Sequence, residues 1–282
     1  MTPKIATALA IGAFAFTAAG TAAAWPFGPA KPASPPPAAA AAPAATAAAD
    51  APKKATPQER AAADRLDPLA RTVFWTREAN LDPTDTVAGV ELAASLRGIG
   101  RFDEARQAAE KVLVLYPNNL DALLESARVA VASGKGFYAL DPLRKAEGIA
   151  PRDWRVYSLL AVAHDQNRQP ELAKTAYGQA LALSPDNPAV LSNLGLWYAT
   201  HGDAAQGETY LRRAVAEPGA TAQERQNLAL VLGMEGKLGE AEQLMREDLP
   251  PELADANLAY LRALNGHGAT VSAVLAAPHP AS

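Results

Sequence analysis

Three arginines, Arg97, Arg128 and Arg155, have the clearest chemistry in this chain to offer a partner. A guanidinium presents its N–H donors in a rigid fork that meets a carboxylate two bonds at a time. Glu125 and Asp165, the amides Asn193, Gln223, Gln226 and Asn227, and the hydroxyls of Ser158 and Ser192 add the donors and acceptors that a peptide backbone can use. This set suits an extended or helical protein segment, with acidic character where it meets the arginines. Bond-making chemistry is much harder to find. His164, His201, His267 and His279 have no zinc-ligand spacing. Neither an H-E-x-x-H nor a G-x-S-x-G pattern occurs. Ser133-Gly134-Lys135 imitates the end of a phosphate loop, but Val129 stands where the upstream glycine is required, so a turn is expected. With no cysteine, disulfides, thiolate metal sites, a thiol nucleophile and an acylated cysteine are all excluded. The balance of 26 basic and 30 acidic residues argues against nucleic-acid binding. The sequence therefore predicts a protein-binding chain with no catalytic residue, no cofactor and no metal.

The elements that must position these residues are periodic. Pro83, Pro117, Pro151 and Pro185 stand 34 residues apart. Gly100, Gly134, Gly202 and Gly236 share one 34-residue grid, with Arg168 in the missing slot. On this grid the units are 86–119, 120–153, 154–187, 188–221 and 222–251, each with two amphipathic stretches around a turn. A small residue recurs in each second stretch (Ala105, Ala139, Ala173, Gly207, Ala241), where two helices must approach closely. Four residues on come Ala109, Leu143, Tyr177, Leu211 and Met245, which fill the gap between units. A 34-residue helix–turn–helix period resembles the tetratricopeptide repeat, and that resemblance implies an all-α, right-handed α-solenoid. First helices line the concave face of such a solenoid. The groove is therefore expected to carry Arg97, Glu125, Arg128, Arg155, Ser158, Asp165, Asn193, Gln223 and Asn227.

Around the repeats, residues 1–24 read as an export signal: Lys4, an apolar run from Ile5 to Thr17, then Ala22-Ala23-Ala24 before a cleavage point. Residues 25–57 are rich in Pro and Ala and read as a disordered linker. A repeat domain over 58–266 follows. It begins with a partial unit to residue 85, whose helix spans about 68–79, and closes with a capping helix over 252–265. Residues 267–282 read as a disordered tail. Asp141-Pro142 predicts that the second helix of its unit begins late, after an irregular Gly134–Leu140 segment. Export places the body in a bacterial periplasm, with membrane attachment only where the signal stays uncleaved.

Three stretches carry a narrower resemblance. They are DPLARTVFWTREANLDPTD (67–85), GFYALDPLRKAEGIAPRDWRVYSLLAVAHDQ (136–166) and the run from GETYLRRAVAEPG to ANLAYLRAL (207–264). Over roughly 65–265 the chain resembles the TadD-type tetratricopeptide proteins of the Tad (Flp) pilus assembly machinery, with 217–264 the specific part. The resemblance implies an envelope-associated assembly scaffold, with the secretin or its accessory proteins as partners and no catalytic residues. Family members are often lipoproteins, and this cysteine-free chain departs from that pattern. The alternative is a general cell-envelope adaptor, serving polysaccharide export or cell-wall machinery.

Overall fold

The computed structural model describes residues 53–266, and their regular structure is entirely helical. The expected signal (1–24), the linker as far as residue 52 and the tail (267–282) lie outside the described residues. A short α1 (Pro57–Ala63) and α2 (Pro68–Leu81) precede five helix pairs. These are α3 (Thr86–Gly98) with α4 (Phe102–Leu115), α5 (Leu120–Ala132) with α6 (Leu140–Ile149), and α7 (Trp154–Gln166) with α8 (Pro170–Leu183). Then come α9 (Pro188–Thr200) with α10 (Ala204–Ala216), α11 (Ala222–Met234) with α12 (Leu238–Asp248), and the closing α13 (Pro251–Gly266). The pairs stack in chain order as a helical solenoid.

The periodic residues explain where helices begin and turn. Each periodic proline lies two residues ahead of an N-cap, where it ends the preceding chain direction. The caps themselves fall on one slot: Asp85, Asn119, Asp153, Asn187 and Thr221 each accept a hydrogen bond from a first-turn N–H of α3, α5, α7, α9 or α11. Between the paired helices, Gly100, Gly134, Gly202 and Gly236 all adopt positive φ, from 71° to 91°. Arg168 fills the same slot at φ 59° and bears the steric cost that glycine escapes. Arg168→Gly is expected to stabilise the chain by on the order of 1 kcal/mol, visible as a higher urea midpoint with an unchanged m-value.

Packing follows the small and large slots. Ala105, Ala139, Ala173 and Ala241 are fully buried, as are Leu143, Tyr177 and Leu211. The core separates into several clusters, the largest running through α5–α9 from Leu123 to Trp197. A second spans α9–α13, and two smaller ones hold the N-terminal helices.

The second unit is irregular in the expected place. A 3₁₀ turn (Gly136–Ala139) precedes α6, and Pro142 lies in the first turn of that helix. At the other end of the chain the expectation needs correcting. Residues 53–57 fall within the expected disordered linker, yet they are docked on α2. Lys54 forms an ion pair with Asp82, and the Ala55 N–H donates to both oxygens of Glu78 at 3.1 and 3.0 Å. Thr56 caps α1 in a reciprocal box with Glu59. The physical cause is Glu78, which is fully buried and needs donors that only this segment and Arg60 supply.

Candidate protein-binding groove

The first helices α3, α5 and α7 bring three slots of the repeat into register. Val87, Asp121 and Arg155 share one slot, Glu91 and Glu125 a second, Ala94 and Arg128 a third. Together with Thr86, Val90, Arg97 and Asn119 they enclose an open cavity of about 380 Å³. Four of the expected groove residues, Arg97, Glu125, Arg128 and Arg155, thus meet at one place. Glu91 and Asp121, also in this lining, were missed by sequence reasoning. Their signal was present: each lies 34 residues before a residue that was named.

The charges of this cavity are largely spent on one another. Glu125 is buried, 1% exposed, and is held between Arg97 Nε at 2.6 Å and Arg128 Nη1 at 3.2 Å. Arg155 donates to Asp153 at 2.6 Å and reaches Asp121 of the preceding unit at 3.4 Å. The Arg155 hydrogen bond holds the Asp153 carboxyl below the usual carboxylate range. Three guanidinium groups therefore face four carboxylates (Glu91, Asp121, Glu125, Asp153), so the groove is not a basic stripe. Glu91 stands apart. It is half-buried and forms no ion pair among the described residues, and burial pushes its carboxyl up, with Asp64, Glu125 and Asp121 adding to the effect against the weaker pull of Arg71. A cation arriving from a partner would relieve that position. The lining thus presents both signs of charge, where the arginines alone suggested a basic surface.

The other expected groove residues do different work. Ser158 is buried and accepts from Asn193 Nδ2 at 3.1 Å. One repeat later, Ser192 accepts from Asn227 Nδ2 at 2.9 Å. This is a repeated clamp between successive first helices, and it consumes the donors that were expected to face a peptide. Gln223 Nε2 in turn donates to Asn227 Oδ1 at 3.0 Å. Asp165 is buried beneath the surface, its Oδ1 accepting from Trp197 Nε1 at 3.1 Å and lying 3.0 Å from His201 Nε2. Burial pushes the Asp165 carboxyl up, against the pull of His201 and Trp197. Trp197 is buried and stacks on His201, while Tyr198 stacks on Tyr210. Ser158, Asp165, Asn193, Gln223 and Asn227 are therefore absent from the cavity that the arginines line; all but Gln223 tie repeats together, and Gln223 supports Asn227 within α11. His164 is partly exposed and pairs with Gln169. Among the described residues no group of three or more His, Asp or Glu has metal-binding geometry, and no helix is long and apolar enough to cross a membrane.

Comparison with known proteins agrees with this architecture. Residues 88–119 and 155–187 each match a family model of the tetratricopeptide repeat. The chain is 30% identical over 142 residues to the uncharacterized protein y4yS of Sinorhizobium fredii (strain NBRC 101917 / NGR234), covering 50% of this chain and 78% of that protein. Its fold is similar to that of TTC0263, a thermophilic tetratricopeptide protein of Thermus thermophilus. That match has a TM-score of 0.57 and 23% identity, covering 64% of this chain and all of the other. A tetratricopeptide repeat protein from Parabacteroides merdae ATCC 43184 superposes with a TM-score of 0.60 at 12% identity, covering 74% of this chain and 86% of the other. Stacked 34-residue helix pairs of this kind are scaffolds for protein–protein interaction, and this chain belongs to the tetratricopeptide-repeat family.

Proposed function

We propose that this chain is an exported scaffold of Tad (Flp) pilus assembly, holding a segment of another assembly protein against the α3–α5–α7 groove. The observation that carries the binding part is a cavity where three successive repeats converge, with Glu91, which has no ion-pair partner among the described residues, beside ordered arginines. The pilus part rests on the resemblance of 67–85, 136–166 and 207–264 to TadD-type proteins, and export rests on the pattern of residues 1–24. The partner segment carries at least one basic side chain for Glu91 and one acidic or carbonyl group for Arg155.

Crosslinked affinity capture from envelope fractions of the native host, read by mass spectrometry, tests the reading. Recovery of the secretin or another Tad component is expected. Recovery of polysaccharide-export or cell-wall machinery without pilus proteins replaces the pilus reading with the general envelope adaptor. The groove is tested separately with Glu91→Arg combined with Arg155→Ala, since neither side chain pairs with the enclosed Glu125. That variant should lose capture while keeping its thermal unfolding midpoint; full capture by the folded variant places the partner elsewhere.

A further inference from the structure

The five units serve as one another's controls, and one surface fails the comparison. In the first turn of the second helix, unit one carries Asp103 and Glu104, unit three Glu171 and Leu172, unit four Ala205 and Gln206, and unit five Gly239 and Glu240. Unit two carries Phe137 and Tyr138 in the matching slots, on the 3₁₀ turn ahead of α6, each 70% exposed. The packing slots on either side are nonetheless kept. Gly136 sits so close to α7 that a Cβ would lie 2.9 Å from the Ala163 carbonyl oxygen, and Ala139 is fully buried. The 3₁₀ turn thus pins both its ends to the solenoid and holds two aromatic rings out between them. The rings brace each other edge to face, 5.8 Å between centroids.

Beside the rings is a hollow. Tyr138 forms one wall of a cavity of about 490 Å³ between α4 and the irregular segment, with Phe102, Val129 and Ala130 as its apolar lining. Asp103, Arg106, Glu110 and Lys135 stand round it, two of each sign. Arg106 and Glu110 pair with each other, whereas Asp103 and Lys135 have no ion-pair partner among the described residues. A projecting ring next to a hollow that can admit one, with balanced charge around both, is complementary to itself. In a two-fold pair of the kind proposed below, each Phe137 would enter the other's hollow and Lys135 of one would face Asp103 of the other. Each ring is 70% exposed, so four rings at roughly 150–250 Å² each have on the order of 400–700 Å² left to bury, against about 1,200–2,000 Å² for a standard stable interface. The remainder falls to the α4 and α5 side chains around the hollow.

We propose that the Phe137–Tyr138 surface of the second repeat is a homodimer interface, pairing ring into hollow with a second copy of this chain. It lies away from the Arg97–Glu125–Arg128 cavity, so pairing leaves that groove open and presents two of them per assembly.

Sedimentation velocity of the full chain over about 1–100 µM, the range of weak to moderate association, reads the state directly. A monomer–dimer equilibrium is expected, with Phe137→Ser combined with Tyr138→Glu raising the dissociation constant more than roughly tenfold. The thermal unfolding midpoint of that variant should stay within a degree or two of wild type, since neither ring is buried. The absence of cysteine supplies a second measurement. Chains carrying Asp103→Cys mixed with chains carrying Lys135→Cys should form a mixed disulfide under mild oxidation. A wild type that stays monomeric throughout, a dimer that persists in the double variant, or a dimer without the mixed disulfide would each overturn the proposal.

Discussion

Arg97→Ala combined with Arg128→Ala should unfold this protein more readily by about 3 kcal/mol, at the low end of the 3–5 kcal/mol typical of breaking a buried ion pair. Glu125 is the cause. It is 1% exposed and its two cations are these arginines, at 2.6 and 3.2 Å. Removing both strands a carboxylate in the groove wall. The loss stays at the low end because the same truncation lets water in from the cavity. Urea denaturation measures it, and adding Glu125→Gln should restore most of the stability by removing the uncompensated charge. No change in the urea midpoint of the double variant would show that Glu125 reaches solvent without its partners. The consequence for binding experiments is direct. Substituting all the groove arginines together confuses lost contacts with lost structure, whereas Arg155 can be changed alone.

Arg60→Ala should release the N-terminal helix. Arg60 donates to Glu78 at 2.8 Å and to Asp85 at 2.7 Å, and its guanidinium lies over the Trp75 ring at 5.8 Å. One side chain therefore joins α1 to α2 and to the cap of α3. The hydrogen bond to Asp85, followed by the one to Glu78, holds the guanidinium above its usual range. Without it, the fully buried Glu78 keeps only the Ala55 N–H, and Trp75 loses its cover. The local cost is about 3–5 kcal/mol, enough to undock residues 53–63. Hydrogen exchange should show lost amide protection in α1, with α9–α12 unaffected because solenoid stability is propagated between neighbours. Intact protection of α1 in the variant would show that the apolar contacts of Ala63 and Trp75 suffice to hold it.

Much of this could be read before the fold was known, because a repeat prints its frame into the chain. The proline, cap and turn slots fixed where helices start and stop, and Arg168 was visible as the odd member of the glycine slot. Burial of charge was not readable. A glutamate on a first helix is solvated by default, and only the meeting of three repeats shows that Glu125 is enclosed while Glu91, in the same slot, is half-open. The Ser158–Asn193 and Ser192–Asn227 clamps were half visible. Both serines and both asparagines recur at 34 residues, but which side chain turns toward which depends on how adjacent helices pack. Pro142 announced the irregular segment of unit two. That Phe137 and Tyr138 would point outward depended on Gly136 and Ala139 being drawn inward, a property of the packing against α7.

The separation of the core into clusters has a mechanical meaning. A pull on the chain ahead of Lys53 first loads the ionic strap on α2, and behind it a cluster with only three buried residues, Ala63, Trp75 and Ala88. The next contains six, Ala93 to Val129, before tension reaches the block of α5–α9. Such a series yields from its weak end in steps, each step releasing slack before the next bears force. The N-terminal units would act as a fuse for the central repeats, lengthening the molecule under load while the stiff middle keeps its shape.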